Sequence, residues 1–191
     1  MKDVIIIVEG PQGAGKTTFT NYLREHMSAT DLYRLSGIKD RTESGLAKIK
    51  TKYEKLIEYM ENCTDINMIF DRTFFTNEIY SRLGYQDYSF SDTYQQLLSK
   101  LDNMKNIADY DVYLVMLYLS DESLYEQRIK REKHQYQKFE AESSILQQRE
   151  YLKMADEVER DTKHIKVIKF ENDSQEMFEQ NIKKYFGDYI K

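Results

Sequence analysis

Val4-Ile5-Ile6-Ile7-Val8-Glu9-Gly10-Pro11-Gln12-Gly13-Ala14-Gly15-Lys16-Thr17 is the stretch on which the fold turns. From Gly10 to Thr17 it is a complete phosphate-binding loop, G-x-x-x-x-G-K-[ST]. An apolar run, Val4–Val8, leads into it, and a stretch that reads as a helix, Thr17 to His26, leads out. Strand, glycine-rich turn and helix N-terminus are the setting in which this motif has a mechanism. Backbone N–H groups wrap the phosphates, and the helix dipole favours their negative charge. Lys16 reaches the β- and γ-phosphates, and the Thr17 hydroxyl holds Mg²⁺. The expected ATP-binding set is Gly10, Pro11, Gln12, Gly13, Ala14, Gly15, Lys16, Thr17 and Thr18.

The rest of the chain is built around that loop. Its 191 residues fit one domain, and a 40 % hydrophobic content is enough for a core. A net charge of −5 argues against a broad nucleic-acid footprint, so phosphate binding must come from locally placed Lys and Arg. Cys63 is the single cysteine, which rules out an internal disulfide and fits a reducing compartment. No signal peptide is expected and no apolar run reaches the length of a membrane span, so the expected location is cytoplasmic. Pro11 is the only proline and three of the seven glycines sit in the loop. Elsewhere the chain reads as long helices with few breakers.

Short apolar runs alternate with helical patterns. Strands are expected at Val4–Val8, Asp31–Leu35, Ile66–Phe70, Val112–Leu119 and Ile165–Phe170. Helices are expected near 17–27, 43–62, 75–83, 91–108, 121–132, 141–161 and 174–186. This alternation predicts an α/β fold, a five-stranded parallel sheet with helices on both faces. Ligands in such sheets bind at the C-terminal ends of the strands. Phe90, Tyr94, Leu97, Leu101, Met104 and Ala108 recur at spacings of four and three and form one helix face. That face packs either on the sheet or on a second copy of the chain as a homodimer contact.

The third strand ends in Asp71-Arg72. A carboxylate there can hold the Mg²⁺ shell through water or activate a hydroxyl, and Arg72 offers a planar fork for a second phosphate. Arg128, Lys130, Arg131 and Lys133 crowd six residues of an acidic protein. Arg128 and Arg131, three apart, share a helix face and can close over the γ-phosphate as a lid. His26, His134 and His164 read as surface or helix-end residues, and no Cys/His cluster suggests zinc.

Asp71-Arg72-Thr73-Phe74-Phe75-Thr76-Asn77-Glu78-Ile79-Tyr80 resembles the Asp-Arg segment of thymidylate kinases, D-R-Y-x-x-S-x-x-A-[YF]. Glu9-Gly10 is similar to the E-G that precedes the loop in that family, and Arg41-Thr42-Glu43-Ser44-Gly45 to its R-x-T-x-x-G stretch, one residue shorter. Gln137-Lys138-Phe139-Glu140 and Gln148-Arg149-Glu150-Tyr151-Leu152 resemble the region after the lid. Phe170-Glu171-Asn172-Asp173-Ser174 sits where the family's last strand turns past the adenine. The resemblance covers nearly the whole chain. It implies the P-loop kinase fold with a short lid near 128–140, and ATP- and Mg²⁺-dependent phosphorylation of a deoxynucleoside monophosphate. In that reading Lys16, Asp71, Arg72, Arg128 and Arg131 are catalytic. Thr17 and Asp71 hold the metal, and Gln12, Arg41, Arg72 and Phe75 bind the substrate, with Phe75 stacked on the acceptor base.

Three positions depart from the family. Gln12 stands where the loop usually carries an acid toward the sugar 3′-hydroxyl. Thr73 replaces a tyrosine, and Lys52, Tyr53 and Glu54 fall near the base-reading position without a clean match. Asp-Arg-Thr also resembles the Glu-Arg-Ser of deoxynucleoside kinases, which need a carboxylate just after the second strand. Arg34-Leu35-Ser36-Gly37 has none, and an ionised monophosphate needs cations rather than a base. A deoxynucleoside kinase is therefore the alternative, and a nucleotide-binding switch without an acceptor is the third reading. The N-K-x-D motif of guanine-binding switches does not occur.

Overall fold

Apolar residues on both faces put β1 (Asp3–Glu9) and β4 (Tyr110–Tyr118) in the middle of a sheet. The computed structural model, which describes residues 2–131 and 140–190, shows that sheet as five strands. With β2 (Thr30–Arg34), β3 (Asn67–Asp71) and β5 (Ile165–Glu171) the order is β2-β3-β1-β4-β5, every pairing parallel. Between the strands run α1 (Lys16–His26), α2 (Glu43–Asn62), α3 (Phe74–Arg82), α4 (Ser91–Asp102), α5 (Ser123–Arg131), α6 (Ala141–Asp161) and, last, α7 (Gln175–Phe186).

Strand alternation sorts the core into two layers. Ile5 and Ile7 face the layer of α2, α3, α4 and α6, while Val4, Ile6 and Val8 face that of α1, α5 and α7. On α2 the buried residues Gly45, Ile49, Tyr53, Ile57 and Met60 form one stripe. Because α1 leaves β1 on one face and α3 leaves β3 on the other, a crevice opens between the C-terminal ends of these neighbouring strands.

The helix expected over 91–108 stops at Asp102. The Asp102 carboxylate accepts from the Lys163 and His164 amides at 2.8–3.1 Å, tying the end of α4 to the start of β5. Residues 103–109 continue as turns, with Ile107 N–H donating to Met104 O and Asp109 N–H to Asn106 O. Phe90, Tyr94, Leu97, Leu101 and Met104 are all buried in the chain's own core, so that face packs inward. Ala108 lies exposed beyond the helix. Among the described residues no helix is long and apolar enough to cross a membrane.

Candidate active site

Out of β1 the chain turns through Gly10, Gly13 and Gly15, all at positive φ (143°, 88° and 96°). A Cβ on Gly10 would stand 2.6 Å from the Leu117 carbonyl oxygen, and one on Gly15 2.3 Å from Asn172 Nδ2. Only glycine meets both demands. Gly15 caps α1 without a side-chain hydrogen bond, and no acid lies in the helix's first turn. The leading amides of α1 lack intrahelical partners and form, with the helix dipole, an anion site. Lys16 is 7 % exposed and donates Nζ to the Pro11 carbonyl at 2.8 Å, inside the curl of the loop.

Two side chains fasten the far side of the loop. Asn172 donates Nδ2 to Ala14 O at 2.8 Å. Arg128 donates to the carbonyls of Gly13 (3.4 Å), Asn172 (2.5 Å) and Asp173 (3.1 Å). Here lies a cavity of about 530 Å³ lined by Gly13, Gly15, Thr18, Arg128, Arg131 and Asn172, among others.

A second cavity, of about 510 Å³, opens past the ends of β2 and β3. Arg41 and Arg72 both line it, with Tyr53, Asn77, Tyr80 and Tyr88. Arg72 sits at φ 68° and donates Nη1 to the Tyr80 hydroxyl at 3.2 Å. Burial disfavours its charge, but Tyr80, Tyr151, Glu9 and Asp71 more than offset this. Arg41 is exposed, in a loop organised by Asp40. The Asp40 carboxylate accepts from the Thr42 amide (3.0 Å) and hydroxyl (2.6 Å) and from Lys48 (3.1 Å), which lower its pKa to about 2.

Gly45 lets α2 begin against this loop, since a Cβ there would stand 1.9 Å from the Asp40 carbonyl oxygen. Alanine in a helix is worth about 1 kcal/mol over glycine. Displacing packed backbone costs about 1–3 kcal/mol, so the clash wins. Gly45→Ala is expected to lower stability by about 1–2 kcal/mol in denaturant unfolding; an unchanged or raised midpoint would show that the loop yields freely.

Asp71 is 8 % exposed and lies on the α1 side of the sheet. Arg34 Nε stands 3.7 Å from Asp71 Oδ2, and the same guanidinium donates to Asn21, one turn along α1 from Thr17. Thr17 is exposed at the start of that helix. A hydroxyl and a carboxylate on one rim suit a hard, oxygen-seeking cation such as Mg²⁺. Among the described residues no three His, Cys, Asp or Glu gather into a metal site, so such an ion would draw its remaining ligands from phosphate and water.

Glu9, the last residue of β1, is fully buried. Its Oε1 accepts from the Thr73 amide (2.6 Å) and hydroxyl (3.0 Å), and its Oε2 from the Thr76 hydroxyl (2.6 Å). Burial raises its pKa from 4.5 to about 7, against the pull of those hydrogen bonds and of Arg72. A carboxyl raised in this way binds its proton more tightly folded than unfolded. Its contribution to stability is full below pH 4.5 and is lost as pH rises to about 7. That loss is on the order of 3 kcal/mol for this one group. Glu9→Gln is expected to flatten this part of the stability–pH curve; an unaltered slope in the variant would place the titration elsewhere.

No protein-family model matches the chain, and no curated protein matches it in sequence. Solved structures do. The thymidylate kinase of Candida albicans superposes with a TM-score of 0.63 at 13 % identity, over 98 % of this chain and 92 % of that one. A deoxyadenosine kinase from M. mycoides, with products dCMP and dCDP bound, gives 0.63 at 18 % identity, over 95 % and 98 %. The YorR protein of Bacillus subtilis, in complex with phosphorylated GDP, gives 0.57 at 19 % identity, over 87 % and 85 %. The fold is that of the P-loop kinases.

Against this P-loop kinase frame, most of the expected residues converge. Thr18, Arg128 and Arg131 line one cavity and Arg41 and Arg72 the other, while Lys16 lies in the loop beside the first. Phe75 does not join them: it is fully buried, stacked on Phe74 at 4.5 Å and edge-on to Tyr94 at 5.8 Å, in the core rather than against a base. Gln12 is half-buried and lines neither cavity. Arg128 is held by carbonyls at the rim of the loop, as a bracket, instead of standing off as a lid. Lys133, His134, Gln137, Lys138 and Phe139, and with them most of the expected lid, lie outside the described residues. In the region after it Gln148 and Tyr151 are buried, whereas Arg149 is exposed and pairs with Glu122 at 3.5 Å.

Three parts of the candidate site were given no role from the sequence. Asn77 is 7 % exposed, lines the Arg41–Arg72 cavity and makes no side-chain hydrogen bond among the described residues. The loop Gly84-Tyr85-Gln86-Asp87-Tyr88 walls the same cavity. An aromatic, polar stretch between two helices was the available signal. The third is Glu9, whose side chain spans two segments far apart in sequence.

Proposed function

We propose that the chain is a nucleotide kinase that transfers the γ-phosphoryl group of ATP to a deoxynucleoside monophosphate, of the thymidylate type. One observation carries this reading: Arg41 and Arg72, from different segments, line one cavity beyond the phosphate loop. Two guanidinium groups in one pocket suit a dianionic acceptor phosphate. The loop amides and Lys16 would hold the ATP phosphates, with Thr18, Arg128 and Arg131 toward the rest of the donor. Thr17 and Asp71 would hold Mg²⁺, which when bound screens the charge between the β- and γ-phosphates. Asn77 offers a free carboxamide to the edge of the base. Most of the rate would come from alignment and charge neutralisation, and Arg72 would serve both.

A deoxynucleoside kinase is the second reading, and Asp40 is the observation in its favour, because this carboxylate lines the acceptor cavity just after β2. A general base works best near the operating pH. Asp40 titrates at about 2 with its oxygens engaged by Thr42 and Lys48, so it is a weak base, and the monophosphate is preferred. A coupled ADP-release assay over nucleosides and monophosphates tests the choice. Release with dTMP or another deoxynucleoside monophosphate, and not with the nucleosides, is expected. Turnover of nucleosides alone would overturn the proposal, and ATP binding without turnover on any acceptor would favour a nucleotide-binding switch.

A further inference from the structure

Resting on that reading of the acceptor cavity, we propose that Glu9 is a positioning residue: its buried carboxylate fixes the left-handed turn at Arg72 and so aims the guanidinium at the acceptor phosphate. A left-handed backbone is unfavourable for arginine and persists only where its surroundings hold it. Here β1 holds it from both sides. The Arg72 amide donates to the Val8 carbonyl at 3.0 Å, and the next amide, of Thr73, donates to Glu9 Oε1 at 2.6 Å. The Thr73 hydroxyl reaches the same oxygen at 3.0 Å. When Glu9 is ionised, hydrogen bonds to its carboxylate are roughly twice as strong as neutral ones, and two of them converge on Thr73.

The second oxygen extends the grip along α3. With Glu9 ionised, Thr76 donates its only proton to Glu9 Oε2, and the 2.9 Å contact between the Thr76 and Tyr151 hydroxyls is then donated by Tyr151, from α6. Glu9 also sits directly before Gly10, which suggests the rival role of bracing the phosphate loop. Its side chain argues otherwise: among the described residues the carboxylate bonds to Thr73 and Thr76, on the acceptor side, and not to residues 10–17. Tyr80, which accepts from Arg72, and Thr73 and Thr76, which bond to Glu9, line the acceptor cavity as well.

Two variants separate the roles. Glu9→Gln keeps an oxygen for Thr73 and can donate to Thr76, so it removes charge with little change in shape. Glu9→Met removes both acceptors. Steady-state kinetics should show the acceptor KM rising about threefold in Glu9→Gln and about tenfold in Glu9→Met, with the ATP KM within about twofold of wild type. Amide exchange followed by NMR should show Thr73 losing protection, slightly in Glu9→Gln and strongly in Glu9→Met, while the β1 and β3 amides keep theirs. An ATP KM that rises in step with the acceptor KM, or Thr73 protection that survives in Glu9→Met, overturns the proposal. If Glu9→Met does not fold, Glu9→Gln decides: an unchanged acceptor KM and unchanged Thr73 exchange overturn it. If the wild-type protein turns over no acceptor, the kinase reading falls, and Thr73 exchange still reports whether Glu9 holds the turn.

Discussion

Arg72→Ala is expected to lower turnover by about a hundredfold or more while leaving the KM for ATP within a few-fold of wild type. The asymmetry follows from where the side chain stands. Arg72 lines the Arg41–Arg72 cavity and reaches the Tyr80 hydroxyl at 3.2 Å, whereas the loop proposed to take ATP is built by other residues. Removing a preorganised donor aimed at developing charge typically costs about 10²–10³ in rate. Loss of an ordinary surface ion pair is worth at most about 1 kcal/mol, under tenfold. The size of the effect therefore distinguishes a phosphate clamp from a decorative charge. Initial rates at saturating ATP, with acceptor varied, measure it. Equal weakening of ATP would move Arg72 to the donor side.

Lys16→Ala should be the more damaging change for ATP itself. Turnover is expected to fall by about 10²–10³ and the ATP KM to rise by about tenfold or more. The ammonium is held by the Pro11 carbonyl at 2.8 Å, within the loop where the phosphates would lie. A hydrogen bond of this kind is worth about 1 kcal/mol to the folded chain, and the thermal midpoint of the variant reads what the side chain contributes to stability. Calorimetric titration with ATP and a melting curve check both halves. Undiminished ATP affinity with a normal melt would mean that the loop binds phosphate through its amides alone.

Much of the architecture was readable because it depends on local pattern. The run Val4–Val8, the loop and α1 follow one another within one short stretch, and α2 and α6 occupy the residues their apolar periodicity marks out. Elements set by distant partners were less legible. The end of α4 depends on an Asp102 side chain that bonds to Lys163 and His164, which no local window contains. Phe75 follows Arg72 closely enough to be read as a base-stacking residue, yet the register of α3 turns it into the core against Phe74 and Tyr94. The resemblance assigned Arg41 and Arg72 together to the substrate. That they share a cavity depends on how the loop after β2 folds back, under Asp40 and against Gly45.

The strand order has a consequence for how such a chain is made. Ile5 in the central strand pairs with Met68 on one side and Val112 on the other. An emerging polypeptide therefore carries its most apolar strand from Ile5 all the way to Val112 before both neighbours exist. Parallel sheets of this non-local kind fold slowly, in the regime of milliseconds to seconds, because long loops must close first. During that interval β1 is the segment most exposed to wrong pairing with other chains. Slowing translation before Val112 is made, or withholding a chaperone, should cost soluble yield more than any change at the active site.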